Sequence, residues 1–391
     1  MADREYDVIL FGGTGFTGGL TAEYLARHAP NGCRWALAGR NLTKLEQVRD
    51  RLTRLNPECA ELPLLRADVT DPESLRTLAE STRVVITTVG PYLRFGEPLV
   101  AACAHSGTDY VDLCGEPEFV DRMYLAHHET ARRTGARLVH ACGFDSIPYD
   151  LGVYFTVQHL PKATELTVEG RVRVHAEFSG GTYSSVLTAL SRPRDMVKAA
   201  RQRRQVERRP EGRRIHLPSW PPRRDRESGR WLIPLPTLDP QIVGRSAAAL
   251  ERYGSEFTYR HYASVKRLPT VLAAGLGLGV LGVLAQIPPA RRMLGVLRRP
   301  GEGPSEHRRL RSWFSVRFIG EGGGERVVTE FAGGDPGYDE TAKMLAESAL
   351  CLAFDDLPAT SGQVTTAVAM GDALLNRLAK AGLTIRLVRR S

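Results

Sequence analysis

The chain is 391 residues long, enough for about two domains that each bury a core of their own. Its composition, 42% hydrophobic and 25% charged, is ordinary for a soluble globular protein; six scattered cysteines with no C-x-x-C pair argue against a disulfide framework or a metal site and for a reducing cytoplasm. The net charge of +9 is local: residues 192–230 hold 13 Arg and one Lys against five acids, the rest of the chain balances, and no basic stripe with interleaved aromatics points to nucleic acid.

An apolar run, Asp7-Val8-Ile9-Leu10-Phe11, ends in Gly12-Gly13-Thr14-Gly15-Phe16-Thr17-Gly18 and passes into a helical stretch from Leu20. Gly13, Gly15 and Gly18 satisfy G-x-G-x-x-G at this strand-to-helix switch. The first glycine allows a tight turn, the second lets backbone approach a pyrophosphate, and the third lets helix pack on strand. Thr14, Phe16 and Thr17 belong to the same loop, and the helix N-terminus points unpaired N–H groups at the phosphates. This is a dinucleotide site; the bland alternative is an ordinary tight turn. The charged start, Met1-Ala2-Asp3-Arg4-Glu5, leads straight into the strand, so no signal peptide is expected.

Strand and helix then alternate through about residue 140, which implies a parallel, doubly wound sheet. A strand at 34–39 precedes a helix with Leu42, Leu45, Val48 and Leu52 at helical spacing. Ligands in such sheets lie outside the carboxyl ends of the strands. After the second strand, where an NAD enzyme shows an acid, this chain reads Gly39-Arg40-Asn41, and a guanidinium there suits a 2′-phosphate. The alternative is a solvent-facing arginine at a helix start. Asp68-Val69, after the third strand, can sit by the adenine, or Asp68 is simply a turn residue. Asp71-Pro72-Glu73 reads as a helix start. Val84–Val89 is a buried strand, and Thr88, Val89, Gly90, Pro91 and Tyr92 follow it beneath the nicotinamide half, unless they form only a Gly-Pro turn. Helices near 97–106 and 117–134 and strands at 109–113 and 137–141 complete the layer.

Next comes His140-Ala141-Cys142-Gly143-Phe144-Asp145-Ser146-Ile147-Pro148-Tyr149-Asp150. Ser146 or Asp145 can cap a helix, Pro148 fits its first turn, and Asp150 complements its dipole. Capping explains most of the stretch, yet it also closes the sheet at the nicotinamide end, with Gly143 counted among the cofactor contacts.

The combined pattern resembles the saccharopine dehydrogenase-like oxidoreductases, and within them the actinobacterial trans-acting enoyl reductases. The resemblance rests on the glycine motif, Ala36-Leu37-Ala38-Gly39-Arg40, Thr87–Tyr92, Gly107-Thr108-Asp109-Tyr110, His140–Ser146 and Phe178-Ser179-Gly180-Gly181-Thr182. It extends to Gly334-Asp335-Pro336-Gly337-Tyr338 and Ala369–Leu375, with the Arg-rich segment least matched. It implies NADP as cofactor and a carrier-bound or lipid-like unsaturated acyl substrate. The family tends to show a Thr-Pro step where this chain reads Thr365-Thr366, which leaves that turn less fixed.

The expected fold class is α/β: an N-terminal Rossmann-type doubly wound parallel sheet (1–150), then a second α+β domain on a mixed sheet (151–361). Period-two alternation at 164–178, 256–265, 312–319 and 325–331 supplies that sheet, with helical stretches at 183–200 and 339–353. By resemblance, the C-terminal segment 362–391 packs back near the nucleotide domain. The Arg-rich insertion 192–230 is either solvated and partly disordered or a docking patch for an acidic carrier protein or anionic membrane. The apolar segment 268–290, flanked by basic pairs, is marginal for a bilayer span. It is a buried helix, a dimer seam or a channel wall, or else a peripheral membrane contact. The expected location is cytoplasmic, with membrane association left open, and a homo-oligomer is expected.

Hydride delivered to the β-carbon of an unsaturated thioester leaves an enolate, which needs hydrogen-bond donors at oxygen and a proton at the α-carbon. Tyr92, Tyr110, Asp145 and Ser146 are the candidates, because all lie near carboxyl ends of strands. Tyr262-Ala263-Ser264-Val265-Lys266 matches a Y-x-x-x-K pattern that works only on a helix, and its local pattern is strand-like. Two other readings stand: a non-catalytic nucleotide-binding, lipid-associated protein, and an amino-acid dehydrogenase of the saccharopine type.

Overall fold

A computed structural model describes residues 4–162, 165–176, 190–208, 210–235, 237–267 and 303–391, with scattered positions between 183 and 293. The opening apolar run forms β1 (Tyr6–Phe11), buried at every position, and leads into α1 (Phe16–His28). There follow β2 (Trp35–Gly39), α2 (Leu42–Thr53), β3 (Leu64–Arg66), α3 (Pro72–Ser81), β4 (Thr82–Thr87), α4 (Tyr92–Phe95), α5 (Glu97–Ser106), β5 (Asp109–Asp112), α6 (Pro117–Thr134) and β6 (Arg137–Val139). Local chemistry sets the helix starts: Asn41 accepts from the Lys44 N–H at 3.0 Å, and Asp71 accepts from the Ser74 N–H at 3.3 Å. The strands pair in parallel in the order β3-β2-β1-β4-β5-β6, so the reversal point lies between β1 and β4. That is where a dinucleotide crosses such a sheet.

The chain continues with α7 (Ile147–Gln158), β7 (Glu165–His175), α8 (Pro193–Val206), β8 (Arg214–His216), β9 (Arg223–Arg224), β10 (Trp231–Pro234), α9 (Asp239–Ala249), β11 (Glu256–Val265), β12 (Trp313–Gly322) and β13 (Glu325–Gly333). It closes with α10 (Asp339–Phe354), β14 (Gly362–Val364), α11 (Thr366–Ala369), α12 (Gly371–Lys380) and β15 (Thr384–Arg390). The second sheet is mixed: β7 runs parallel to β11 and antiparallel to β12, and α7 packs across it.

Three expectations change here. The 362–391 segment divides between the sheets: β14 pairs with β6, whereas β15 pairs with β13 at the edge of the second sheet. Helix α10, placed by chain order in the second domain, packs against α1, β1, β4 and β5. The insertion 192–230 is folded wherever described, as a helix and two short strands. Its Arg203, within α8, is buried, bonding Asp121, Glu207 and Gln363 at 3.3, 2.7 and 2.7 Å, with its guanidinium 4.0 Å from the Tyr124 ring centre. Most of the apolar segment 268–290, and the stretch 178–182, lie outside the described residues. Among the described residues no helix is long and apolar enough to cross a membrane.

Asp150 does more than complement a helix dipole. Fully buried, it accepts from the Ser246 hydroxyl (2.5 Å), the Thr366 hydroxyl (2.7 Å) and the Ala367 N–H (2.8 Å), joining α7, α9 and α11. Thr365 caps α11 and meets the Ser246 hydroxyl at 2.6 Å. The turn that lacks the family's proline is therefore held by side chains. Asp150→Ala leaves the Thr366 hydroxyl and the Ala367 N–H without an acceptor, and is expected to cost about 3 kcal/mol. A thermal melt measures it; a midpoint within a degree of the parent overturns this account.

Candidate functional site

The glycine loop has the geometry of a phosphate cradle, with one shift in roles. The left-handed residue is Gly12, at φ 99°, where a Cβ would fall 2.8 Å from both the Thr88 Oγ1 and the Val89 side chain. Gly13 needs no such conformation; its absent Cβ faces the Leu37 methyl at 3.0 Å. Gly18 is the strictest position, since a Cβ there would lie 2.2 Å from the Gly12 carbonyl oxygen and 2.7 Å from Thr88 Oγ1. Helix α1 can approach β1 and β4 only without that atom. Gly15 is exposed and would meet nothing nearer than Gly12 O at 3.5 Å, which leaves room for a pyrophosphate at the start of α1. Thr14 is exposed beside it, and Thr17 is half-buried in the first turn of α1. Phe16 offers only backbone, because its ring packs edge-on against Tyr338 at 4.8 Å.

At the far end of β2, Gly39 lies in register with Arg66 of β3, and Arg40 follows it. Both arginines are exposed, and neither guanidinium has a hydrogen bond or ion pair among the described residues. Asp68 forms a turn, accepting from the Thr70 N–H and hydroxyl at 2.9 Å each; those bonds, then Arg40 and Arg66, hold its carboxyl below the usual range. The two arginines thus flank one spot, and Arg66 had no motif to announce it. Asn41 serves as the cap of α2, and Val69 packs on the core beside Asp68. The open space at Gly15 and the pair of unpartnered guanidiniums fit a dinucleotide with a 2′-phosphate.

Following β4, the Thr88 hydroxyl donates to Gly12 O at 3.1 Å and the Val89 N–H donates to Thr87 Oγ1 at 3.2 Å, while Gly90 is exposed and Pro91 half-buried. Two of the candidate tyrosines point elsewhere. The Tyr92 hydroxyl is buried, donating to Thr87 O (3.2 Å) and accepting from the Leu113 N–H (3.1 Å). The Tyr110 hydroxyl, wholly buried, donates to Asp112 at 3.0 Å, and Asp112 also meets His140 Nδ1 at 2.7 Å. These phenols make internal bonds and are not free donors. Gly143 is also a packing residue: a Cβ there would meet Leu113 at 2.7 Å and Thr341 at 3.0 Å.

The other two candidates are Asp145 and Ser146. They follow β6, and the Asp145 Oδ2 lies 3.0 Å from the position of an added Cβ on Gly115, in the loop after β5. Asp145 is partly accessible and has no hydrogen bond or ion pair among the described residues; burial raises its carboxyl to about 6. The Ser146 hydroxyl does not cap α7, and it too is buried without a partner.

The structure adds three groups from the second half of the chain or from α7. Tyr149 is buried with no hydrogen-bond partner among the described residues; burial, then Asp239, Tyr259 and Asp145, push its phenol well above the ordinary value. Asp239, at the start of α9, has Oδ1 unpartnered and Oδ2 3.6 Å from His261 Nε2. Burial raises its carboxyl, and Asp145 raises it further, against a bond from Thr237. His261 on β11 meets the Tyr259 hydroxyl at 2.8 Å and the Tyr149 ring at 4.8 Å, and burial lowers its imidazole to about 3. Near neutral pH the set therefore offers a protonated Tyr149 phenol, a neutral His261 imidazole, an Asp239 carboxyl raised by its burial and an Asp145 carboxyl raised to about 6. No arginine or lysine contributes to the shifts at Asp145, Tyr149 or Asp239. Phe144 lies beside them, 5.6 Å from the Tyr149 ring and 4.9 Å from Phe314. Only Tyr149 was close in sequence to a recognised stretch; Asp239 and His261 sit in ordinary surroundings with no motif. Tyr262 is buried on strand β11, and strand spacing carries residue 266 roughly 13 Å away, so the Y-x-x-x-K match has no helix to act from.

A parallel sheet with a glycine cradle at its reversal point is the frame of a Rossmann-type oxidoreductase. Residues 8–139 match the saccharopine dehydrogenase NADP binding domain. A putative trans-acting enoyl reductase of Mycobacterium tuberculosis is 40% identical over 417 residues, spanning 99% of this chain and 98% of its own. A trans-acting enoyl reductase of Mycobacterium ulcerans is 36% identical over 420 residues, spanning 99% of each. Apo saccharopine dehydrogenase (L-Glu forming) from Saccharomyces cerevisiae shares the fold, with TM-score 0.57 at 12% identity, covering 98% of this chain and 100% of that one. The chain belongs to the trans-acting enoyl reductase family, within the saccharopine dehydrogenase-like NADP-dependent oxidoreductases.

Proposed function

We propose that this NADP-dependent oxidoreductase reduces the double bond of an α,β-unsaturated acyl thioester delivered on a carrier protein. The observation that carries the reading is the set of polar groups with no hydrogen bond among the described residues, Asp145, Tyr149 and Asp239 Oδ1, grouped around Asp145 beside the loop after β5. Bound NADPH supplies the hydride for the β-carbon. Gly15 and the start of α1 would hold the pyrophosphate, and Arg40 with Arg66 would hold the 2′-phosphate.

The Tyr149 phenol stays protonated and donates to the thioester oxygen, where negative charge develops. The Asp145 carboxyl is partly open to solvent, carries the proton for the α-carbon and is recharged from water. Asp239 and His261 pack behind Tyr149 and orient it. A thioester is neutral, which agrees with a site where no cation bears on these groups. An amino-acid substrate needs a cation for its carboxylate, and the apolar wall of Phe144 and Phe314 supplies none.

The test is NADPH oxidation with a carrier-bound 2-enoyl thioester, the free enoic acid and a panel of amino and keto acids. Turnover of the thioester alone is expected. Tight NADPH binding with no turnover of any of them, or turnover of an amino or keto acid alone, overturns the proposal.

A further inference from the structure

The insertion's excess positive charge is not spread evenly over the surface. Arg192 is paired with Glu118 at 2.9 Å, Arg203 with Asp121 and Glu207, Arg214 with Glu256 at 2.7 Å and Arg223 with Glu169 at 2.6 Å. Arg213 donates to backbone carbonyls at Ala248 and Gly254. On one face of α8, Arg194, Lys198 and Arg201 are exposed and have no hydrogen bond or ion pair among the described residues; Arg208 and Arg226, off this helix, are exposed and unpaired as well. Their spacing of four and three puts them on one side of the helix. Val197, 44% exposed, lies beside them, and the four line one open depression. An unneutralised basic stripe beside an exposed aliphatic side chain is a surface awaiting an acidic partner with a small apolar contact of its own.

The other side of α8 says where that partner would stand. Met196 lines a small pocket together with Leu93, Glu116 and Pro117. Glu116 in turn accepts from the N–H groups of Tyr92 (3.1 Å) and Leu93 (2.9 Å), just past Gly90 and Pro91. Helix α8 is thus seated against the segment that follows Gly90 and Pro91, with its basic face turned outward. A thioester tethered by a long flexible arm must have its carrier anchored within reach of the nicotinamide end.

We infer that the exposed face of α8, through Arg194, Lys198 and Arg201, docks the acidic carrier protein that presents the acyl thioester. This rests on the enoyl thioester reading above. The surface makes no contact with the acyl chain, so it acts on carrier binding and leaves the chemical step alone.

The experiment compares the full-length enzyme with the triple variant Arg194→Glu, Lys198→Glu, Arg201→Glu on one acyl group presented in two ways, as a carrier-bound thioester and as a small soluble thioester. The expected result is a KM for the carrier-bound substrate raised at least tenfold, with its salt dependence abolished. The kcat, the kinetics with the small thioester and the affinity for NADPH should be unchanged. An unchanged KM for the carrier form overturns docking at α8. So does an equal loss on both substrates, or loss of binding only to phosphatidylglycerol-rich vesicles, which makes the face a membrane contact. A parent enzyme inactive on both thioesters overturns the enoyl reductase reading and this one with it, whereas failure of docking alone leaves the small-thioester activity intact. A milder triple variant to Gln, which removes charge without reversing it, should give an intermediate KM.

Discussion

Asp145→Asn is expected to lower kcat by about 10²–10³-fold, the range for removing a positioned general acid. It should also erase a feature of the pH profile. The parent carboxyl holds its proton up to about pH 6, so kcat/KM should fall tenfold per unit above that point, and the variant should lack this limb. Stability should move the opposite way. Because the folded-state value is raised from the ordinary 3.8 to about 6, the native state binds more protons than the unfolded chain in that window, and the parent loses stability as pH rises through it. Asparagine has no charge to bury. The variant should melt above the parent at pH 7 and converge on it below pH 4. A pH limb that survives in Asp145→Asn assigns the proton to another group. Tyr149→Phe provides the contrast: kcat falls and the limb near 6 remains, since the phenol titrates far above this range.

The second large effect concerns the cofactor. Arg40→Asp is expected to weaken NADPH binding about 100-fold, which is the loss of one charge-assisted contact to the 2′-phosphate plus repulsion from the new carboxylate. The same carboxylate can accept from both ribose hydroxyls, so NADH should gain, and the preference should move toward NAD. Arg66, in register with Gly39, keeps part of the phosphate contact, and the double variant with Arg66→Ser should complete the change. Titration of cofactor fluorescence measures both. Unchanged NADP preference in Arg40→Asp refutes the assignment of the 2′-phosphate to this end of β2.

Much of the nucleotide half was readable because its signals are local. The strand-to-helix switch at Gly12–Gly18, the Asp71-Pro72 helix start and the buried run at 84–87 depend on neighbours a few residues away. Even there, the left-handed position fell to Gly12, against Thr88 and Val89 from the turn after β4, which the motif spacing does not reveal. Reading tyrosines by their nearness to strand ends misjudged Tyr92 and Tyr110. A phenol can end a strand and still turn into the core, and only its partners, Thr87 O with the Leu113 N–H and Asp112, reveal which.

By itself the sequence determined the parallel nucleotide-binding sheet, the mixed second sheet and the family, because period, glycine spacing and long motifs are written in contiguous residues. The tertiary structure alone brought together the groups proposed to handle protons. Asp145, Tyr149, Asp239 and His261 come from three separate stretches, and burial, not residue type, sets their protonation. It also decided which basic residues of α8 remain available, by burying Arg203 and leaving Arg194, Lys198 and Arg201 outside. Desolvation and ion pairing depend on what folds against a group, and distant chain supplies that environment.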